Sequence, residues 1–169
     1  MADPLDRFMP GRSSVSQPLL DRLLDAEPDR VEDPPLRPVD ELRRLREAIR
    51  RDLEALLNTR QPPVSPPSDR PHLDSALTAF GIEGFVGASL GSPAAKTRFA
   101  RAIERRIELF ETRLTSVQVT VLKSRNDSDR ALRMRIQASF RVNEAMPPIR
   151  LESMVDPSTN RIELEAPGD

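Results

Sequence analysis

The chain has 169 residues, 17 of them proline, with 26 basic and 27 acidic residues and no cysteine. Lack of cysteine excludes a disulfide scaffold, a thiolate zinc site and a thiol nucleophile, and the single histidine, His72, excludes a His-rich metal site. Charge is even along the chain, 12 basic and 14 acidic residues in 1–71 against 14 and 13 in 72–169, so the basic excess of a nucleic-acid binder is missing, and no apolar run approaches the ~20 residues of a membrane span.

Twelve of the 17 prolines fall in residues 1–71, and none lies between Ala94 and Met146. The first part is broken and the rest is continuous. Met1–Asp6 carries acids where a targeting peptide carries bases, so a cytoplasmic chain is expected. In the N-terminal segment 1–37, Leu19, Leu20, Leu23 and Leu24 follow Pro18 at helical spacing. Pro28, Pro34 and Pro35 end that short helix, which is too short to stand alone and must rest on its own domain or on a partner. Residues 38–60 form a long helix with an apolar stripe of Leu42, Leu45, Ile49, Leu53 and Leu56. The opposite face, rich in Arg, Glu and Asp, reads as solvated. Residues 61–71 hold five prolines and form a loop within the domain.

His72–Ala79 reads as a short helix, followed by a cluster of Gly81, Gly84, Gly87 and Gly91. Ser92 and Pro93 make an N-cap and first-turn pair. The second long helix spans 93–110, with Phe99, Ala102, Ile103, Ile107 and Phe110 on one face. The period then changes to two. Val117, Val119 and Val121 alternate with polar residues, as do Leu132, Met134, Ile136, Ala138 and Phe140. Ile149, Leu151 and Val155, then Ile162 and Leu164, supply two further strands, with turns at 124–129, 143–148 and 156–160. The fold class is α+β, with N-terminal helices packed on one face of a four-stranded antiparallel β-meander. One domain over 38–166 follows, with a tail at 167–169.

Several residues raise chemistry. The glycine cluster precedes a helix, but it lacks the order of a phosphate loop and reads as a close-packed turn. His72, Asp74 and Ser75 sit too close in sequence for a triad. Glu104, Glu108 and Glu111 raise the paired carboxylates of a glycosidase, yet Arg101 and Arg105 at i−3 suggest surface ion pairs. No catalytic, cofactor or metal site is expected. Glu111-Thr112-Arg113 stands where helix gives way to strand. Its charged pair either satisfies loose backbone groups or faces a partner, and the residues alone do not separate the two.

The order of features resembles a family. Leu56-Leu57-Asn58-Thr59-Arg60 closes a helix, a proline-rich stretch follows, and then come Phe80-Gly81-Ile82 and Arg101-Ala-Ile-Glu-Arg-Arg-Ile107-Glu-Leu-Phe110-Glu111-Thr112-Arg113-Leu114. This is similar to the TssE family, the baseplate wedge subunits of type VI secretion systems, and to the wedge subunits of contractile-tail phages. That family has long carried the label "lysozyme-like". The likeness covers roughly residues 17–166. It departs at Thr112, where the family has proline.

The resemblance implies a structural role. The Glu-Pro-Arg junction of the family docks on the helical bundle of the other wedge proteins (TssF, TssG and TssK). The subunit is thought to start the sheath (TssB and TssC) by sharing its β-sheet, in a cytoplasmic complex assembled at the inner membrane. Glu111 and Arg113, flanked by Phe110 and Leu114, are the partner-binding residues so implied. Edge strands at about 116–122 and 161–165 offer the means of sheet sharing. A peptidoglycan hydrolase of the same machine and a generic interaction domain are the alternatives.

Overall fold

A computed structural model describes residues 19–23, 37–61, 69–83, 92–122, 132–141, 148–156 and 161–166. Most of the three strand-joining turns and of the proline-rich stretch, with Leu24, Gly84, Gly87 and Gly91, lie outside the described residues.

The elements run α1 (Leu19–Leu23), α2 (Pro38–Asn58), α3 (Pro93–Phe110), β1 (Leu114–Val121), β2 (Leu132–Phe140), β3 (Ile149–Asp156) and β4 (Arg161–Glu165). The strands form one antiparallel sheet in the order β1-β2-β3-β4, so the fold is α+β with a meander. Pro38 opens α2, with Asp40 and Glu41 at the positive end of its dipole. The Ser92 side chain caps α3 by accepting from the Ala95 N–H at 3.1 Å. Both long helices lie on one face of the sheet. Leu42, Ile49, Leu53, Leu56, Ile103 and Ile107 join one core with the inward residues of all four strands. Among the described residues, no helix is long and apolar enough to cross a membrane.

Three local details differ from the sequence reading. His72–Ala79 is two 3-10 turns, Pro71–Ser75 and Leu77–Ala79, since Ala76 takes an extended backbone between them. On α3, Ala100 is buried and Ala102 exposed. At 100° per residue, Ala100 falls roughly 65° from the middle of the Phe99-Ile103-Ile107-Phe110 stripe and Ala102 about 95°. β1 begins two residues early, because a bulge between Thr115 and Gln118 resets its register against β2. Ser116 sits there at φ 52°. The extra residue turns both Leu114 and Val117 inward, which a strict alternation could not do.

The charged side of α2 is not simply solvated. Asn58 donates to the Ile162 carbonyl and accepts from the Ile162 N–H, each at 2.9 Å. Glu54 accepts from the Leu164 N–H at 3.0 Å, and Arg50 reaches the Leu164 carbonyl at 3.4 Å. These residues stand at i, i+4 and i+8, one turn-row of the helix. Four outward backbone groups of β4 thus have partners from α2. The inward face of β3 carries one polar residue, Ser153, whose hydroxyl donates to the Met134 carbonyl at 3.3 Å.

Two pieces far apart in sequence meet at the end of α2. Ile82 N–H donates to the Thr59 carbonyl at 3.0 Å, and Gln61 N–H to the Ile82 carbonyl at 2.9 Å. Gly81 takes φ 105° beside them, and a Cβ there would overlap the Thr59 carbonyl oxygen. Gly81→Ala should therefore lower the urea midpoint by far more than an ordinary surface change, with backbone strain alone worth about 1–3 kcal/mol. Asn58→Ala strips two backbone groups of β4 of their partner. Equilibrium unfolding should show a loss of roughly 1–3 kcal/mol.

Candidate docking site

The site is built where α3 stops. The Glu111 N–H makes the last helical bond, to the Ile107 carbonyl at 2.8 Å, and the Glu111 backbone then leaves helical geometry. The Leu114 N–H closes a turn on the Glu111 carbonyl at 3.1 Å. Arg141, just past β2, holds this turn from the other side. Its N–H donates to the Arg113 carbonyl at 2.8 Å and its Nε to the Thr112 carbonyl at 2.8 Å.

Glu111 is only 6% exposed. Its Oε1 accepts from the Arg113 N–H at 3.1 Å and from Arg113 Nε at 2.7 Å, while Oε2 pairs with Nη2. Three donors aimed at one buried carboxylate offset the cost of taking it out of water. Arg113 Nη2 also reaches Asp52 of α2 at 2.7 Å. Asp52 in turn pairs with Arg51 at 3.1 Å, and Arg51 with Asp21 of α1 at 2.7 Å. The charges alternate along this chain from α1 to the junction. Hydrogen bonding from Glu111, opposed by partial burial, holds the Arg113 guanidinium above the ordinary arginine range.

Beside this network lies a notch of about 400 Å³, lined by Asp52, Leu53, Ala55, Leu56, Phe80, Phe110 and residues 111–113. Phe80 and Phe110 meet edge to face, with centroids 5.4 Å apart and planes at 79°. Arg106 ties the same wall together, donating to the Ala79 carbonyl at 3.3 Å and to the Gln61 side chain at 2.7 Å. Asp52–Leu56 of α2, Phe80 and Phe110–Arg113 therefore meet around one surface feature.

The residues singled out from sequence divide clearly. Arg113 and Phe110 are half-buried at the notch, Glu111 is buried behind Arg113, and Leu114 is 1% exposed, its side chain given to the core. The Glu111–Arg113 pair does satisfy backbone at the turn, one of the two roles left open by sequence. Glu104 is half-buried and accepts from the Val119 N–H at 3.0 Å, while Glu108 is exposed. Neither lines the notch. Asp74 pairs with Arg105 at 3.5 Å on the surface, and exposed His72 lies in the same 3-10 turn. Leu20 and Leu23 of α1 are 55% and 73% exposed, and Asp21 joins this short helix to α2 through Arg51. Sequence reasoning missed Asp52, Arg51 and Asp21 at the junction. They are ordinary members of charged stretches, and only Phe80 carried a signal, through its place in the family pattern.

Arg113→Ala leaves Glu111 buried without its main partner. Chemical denaturation should show a loss of roughly 3–5 kcal/mol, and Glu111→Leu combined with Arg113→Leu should recover most of it. Asp52→Asn, at a more exposed pair, should cost no more than about 1 kcal/mol.

The matched family fits these pieces. A profile of the family described as baseplate wedge protein gp25 matches residues 43–145, more than half of the chain, from α2 through the notch and α3 to the end of β2. A search of curated proteins gives no match. On that profile and the residues it spans, the chain belongs to the baseplate wedge protein gp25 family.

Proposed function

We propose that this chain is a non-enzymatic structural wedge component of a type VI secretion machine. It docks through the notch on the other wedge subunits, TssF, TssG and TssK, and starts the TssB and TssC sheath by sharing its sheet. Assembly would take place in the cytoplasm at the inner membrane. Family membership supports the baseplate role. The observation that carries the docking role is the convergence of three separated segments on one notch with an aromatic floor and an arginine rim. A partner helix can seat an apolar side chain against Phe80 and Phe110 while a polar group on it meets Arg113. In this reading Phe110 and Arg113 touch the partner. Glu111 fixes the Arg113 rotamer, and Leu114 anchors the turn in the core.

Thr112 stands where the family has proline, and it is exposed. Proline would fix the backbone leaving α3. Here the two bonds from Arg141 to the Thr112 and Arg113 carbonyls act on the same stretch of backbone. The non-enzymatic reading has support of its own. Glu104 is spent on a backbone N–H and Glu108 lies on open surface, so these two carboxylates do not face a common cleft. Asp52 and Glu111 both line the notch, but the Arg113 guanidinium stands between them.

Ala55→Trp tests the docking without touching the core, since Ala55 is exposed and lines the notch. The variant should keep its unfolding midpoint and lose co-purification with the other wedge subunits and secretion. Unchanged co-purification would show that the notch is not the docking site.

A further inference from the structure

We propose that the outer edge of β1 is the strand-accepting edge of this sheet, and that the Glu104 carboxylate is a removable cap standing where an incoming carbonyl would bind. The inference rests on the sheet-sharing reading above and deepens it. The occupant is an extended segment of a partner subunit, apolar at alternate positions.

The two edges of the sheet are not equivalent. At β4 the outward N–H and C=O groups of both Ile162 and Leu164 are bonded by Asn58, Glu54 and Arg50. A strand arriving there would have to break four bonds and push α2 aside. At β1 the pairing alternates. The Leu122 N–H faces β2, where it reaches the Arg133 carbonyl at 2.8 Å, so the backbone N–H and C=O groups of Val119 and Val121 face the open edge. Among the described residues, one side chain bonds that edge, Glu104 on the Val119 N–H at 3.0 Å. A carboxylate on a side chain of α3 can swing away. It is replaced, atom for atom, by the carbonyl of a strand.

Burial points the same way. The inward residues of β2 are all buried, yet Val119 and Val121 of β1 are only half-buried against the core, as is Phe99 of α3. The core is left unfinished along this edge, and alternate apolar residues of a fifth strand would cover it. The outward face of β1 is uncharged, with Ser116, Gln118 and Thr120 exposed, whereas β4 shows Arg161, Glu163 and Glu165. Charges discourage strand addition, and β1 lacks them. The Ser116 bulge ends the regular run, so the acceptor is short, with Val119 and Val121 at its centre.

The test uses the full chain. Amide hydrogen exchange at Val119 should quicken about tenfold in Glu104→Ala and change little in Glu104→Gln, which keeps an acceptor oxygen. Equal rates in Glu104→Ala and wild type would overturn the cap. Val121→Pro removes an outward N–H without touching the ladder to β2. Gln118→Lys with Thr120→Lys charges the edge instead and guards against a folding defect in the proline variant. Each should still co-purify with the wedge subunits but fail to support sheath growth in cells, read as loss of labelled sheath structures. If both grow sheath normally while Asn58→Ala with Glu54→Ala, which uncovers the β4 edge, speeds sheath growth, the edge assignment is wrong and sheet sharing survives at β4. If all grow sheath normally, sheet sharing itself falls.

Discussion

The geometry of the molecule turns on a carboxylate that water barely reaches. Glu111 ends α3, and its charge is tolerable only because Arg113 curls back and supplies an N–H, Nε and Nη2. That requirement dictates the path of the chain. The backbone must turn tightly at Thr112, and Leu114 must enter the core as the first residue of β1. The same guanidinium binds Asp52, so the crossing of α2 over the junction is tied to the end of α3. Helix, helix and strand share one cation. An arginine stays protonated throughout the neutral range, and hydrogen bonding to Glu111 moves the pKa of this one further up, so its charge is constant there.

The treatment of the sheet edges follows from simple lengths. Residues four apart on a helix are separated by ~6 Å along its axis, and residues two apart on a strand by ~6.8 Å. A helix lying antiparallel to an edge strand can therefore bond every second residue for a couple of steps before the two repeats drift apart. α2 does this with Asn58 on Ile162, and with Glu54 and Arg50 on Leu164. Two steps suffice because β4 has only five residues. α3 makes one such contact, through Glu104. β1 is longer and bulged, and a helix carrying one suitable carboxylate cannot follow it.

The periodic elements were legible from sequence. The stripe on α2 and the alternation of β2 come from side chains that only water or core can receive, and both stand as read. The meander was legible because turn residues separate its strands. What escaped was set by partners distant in sequence. Asn58 looked like a helix-ending residue, yet its amide is taken by Ile162, 104 residues away. Asp52 was one charge among many on α2 until Arg113 chose it, 61 residues on. The bulge escaped because Ser116 gives no glycine to announce a positive φ. Glu104 was weighed as an acid for catalysis when its neighbour in space is a backbone N–H. Residue type signalled a polar role in each case, and only the tertiary fold assigned the partner.

The notch and the β1 edge are also mechanically close. Phe110, at the notch, and Glu104, on the β1 edge, stand six residues apart on α3, a separation of ~9 Å along the axis. β1 itself starts from the turn that Glu111 and Arg113 hold. The Glu104 bond to Val119 is 3.0 Å long, and a displacement of α3 by well under a helical turn would break it. In the proposed docking, a partner helix seated against Phe80 and Phe110 would press on the C-terminal end of that same element. Any rotation of α3 about its axis would move Phe110 and Glu104 together, so the proposed docking and the proposed edge cap share one lever.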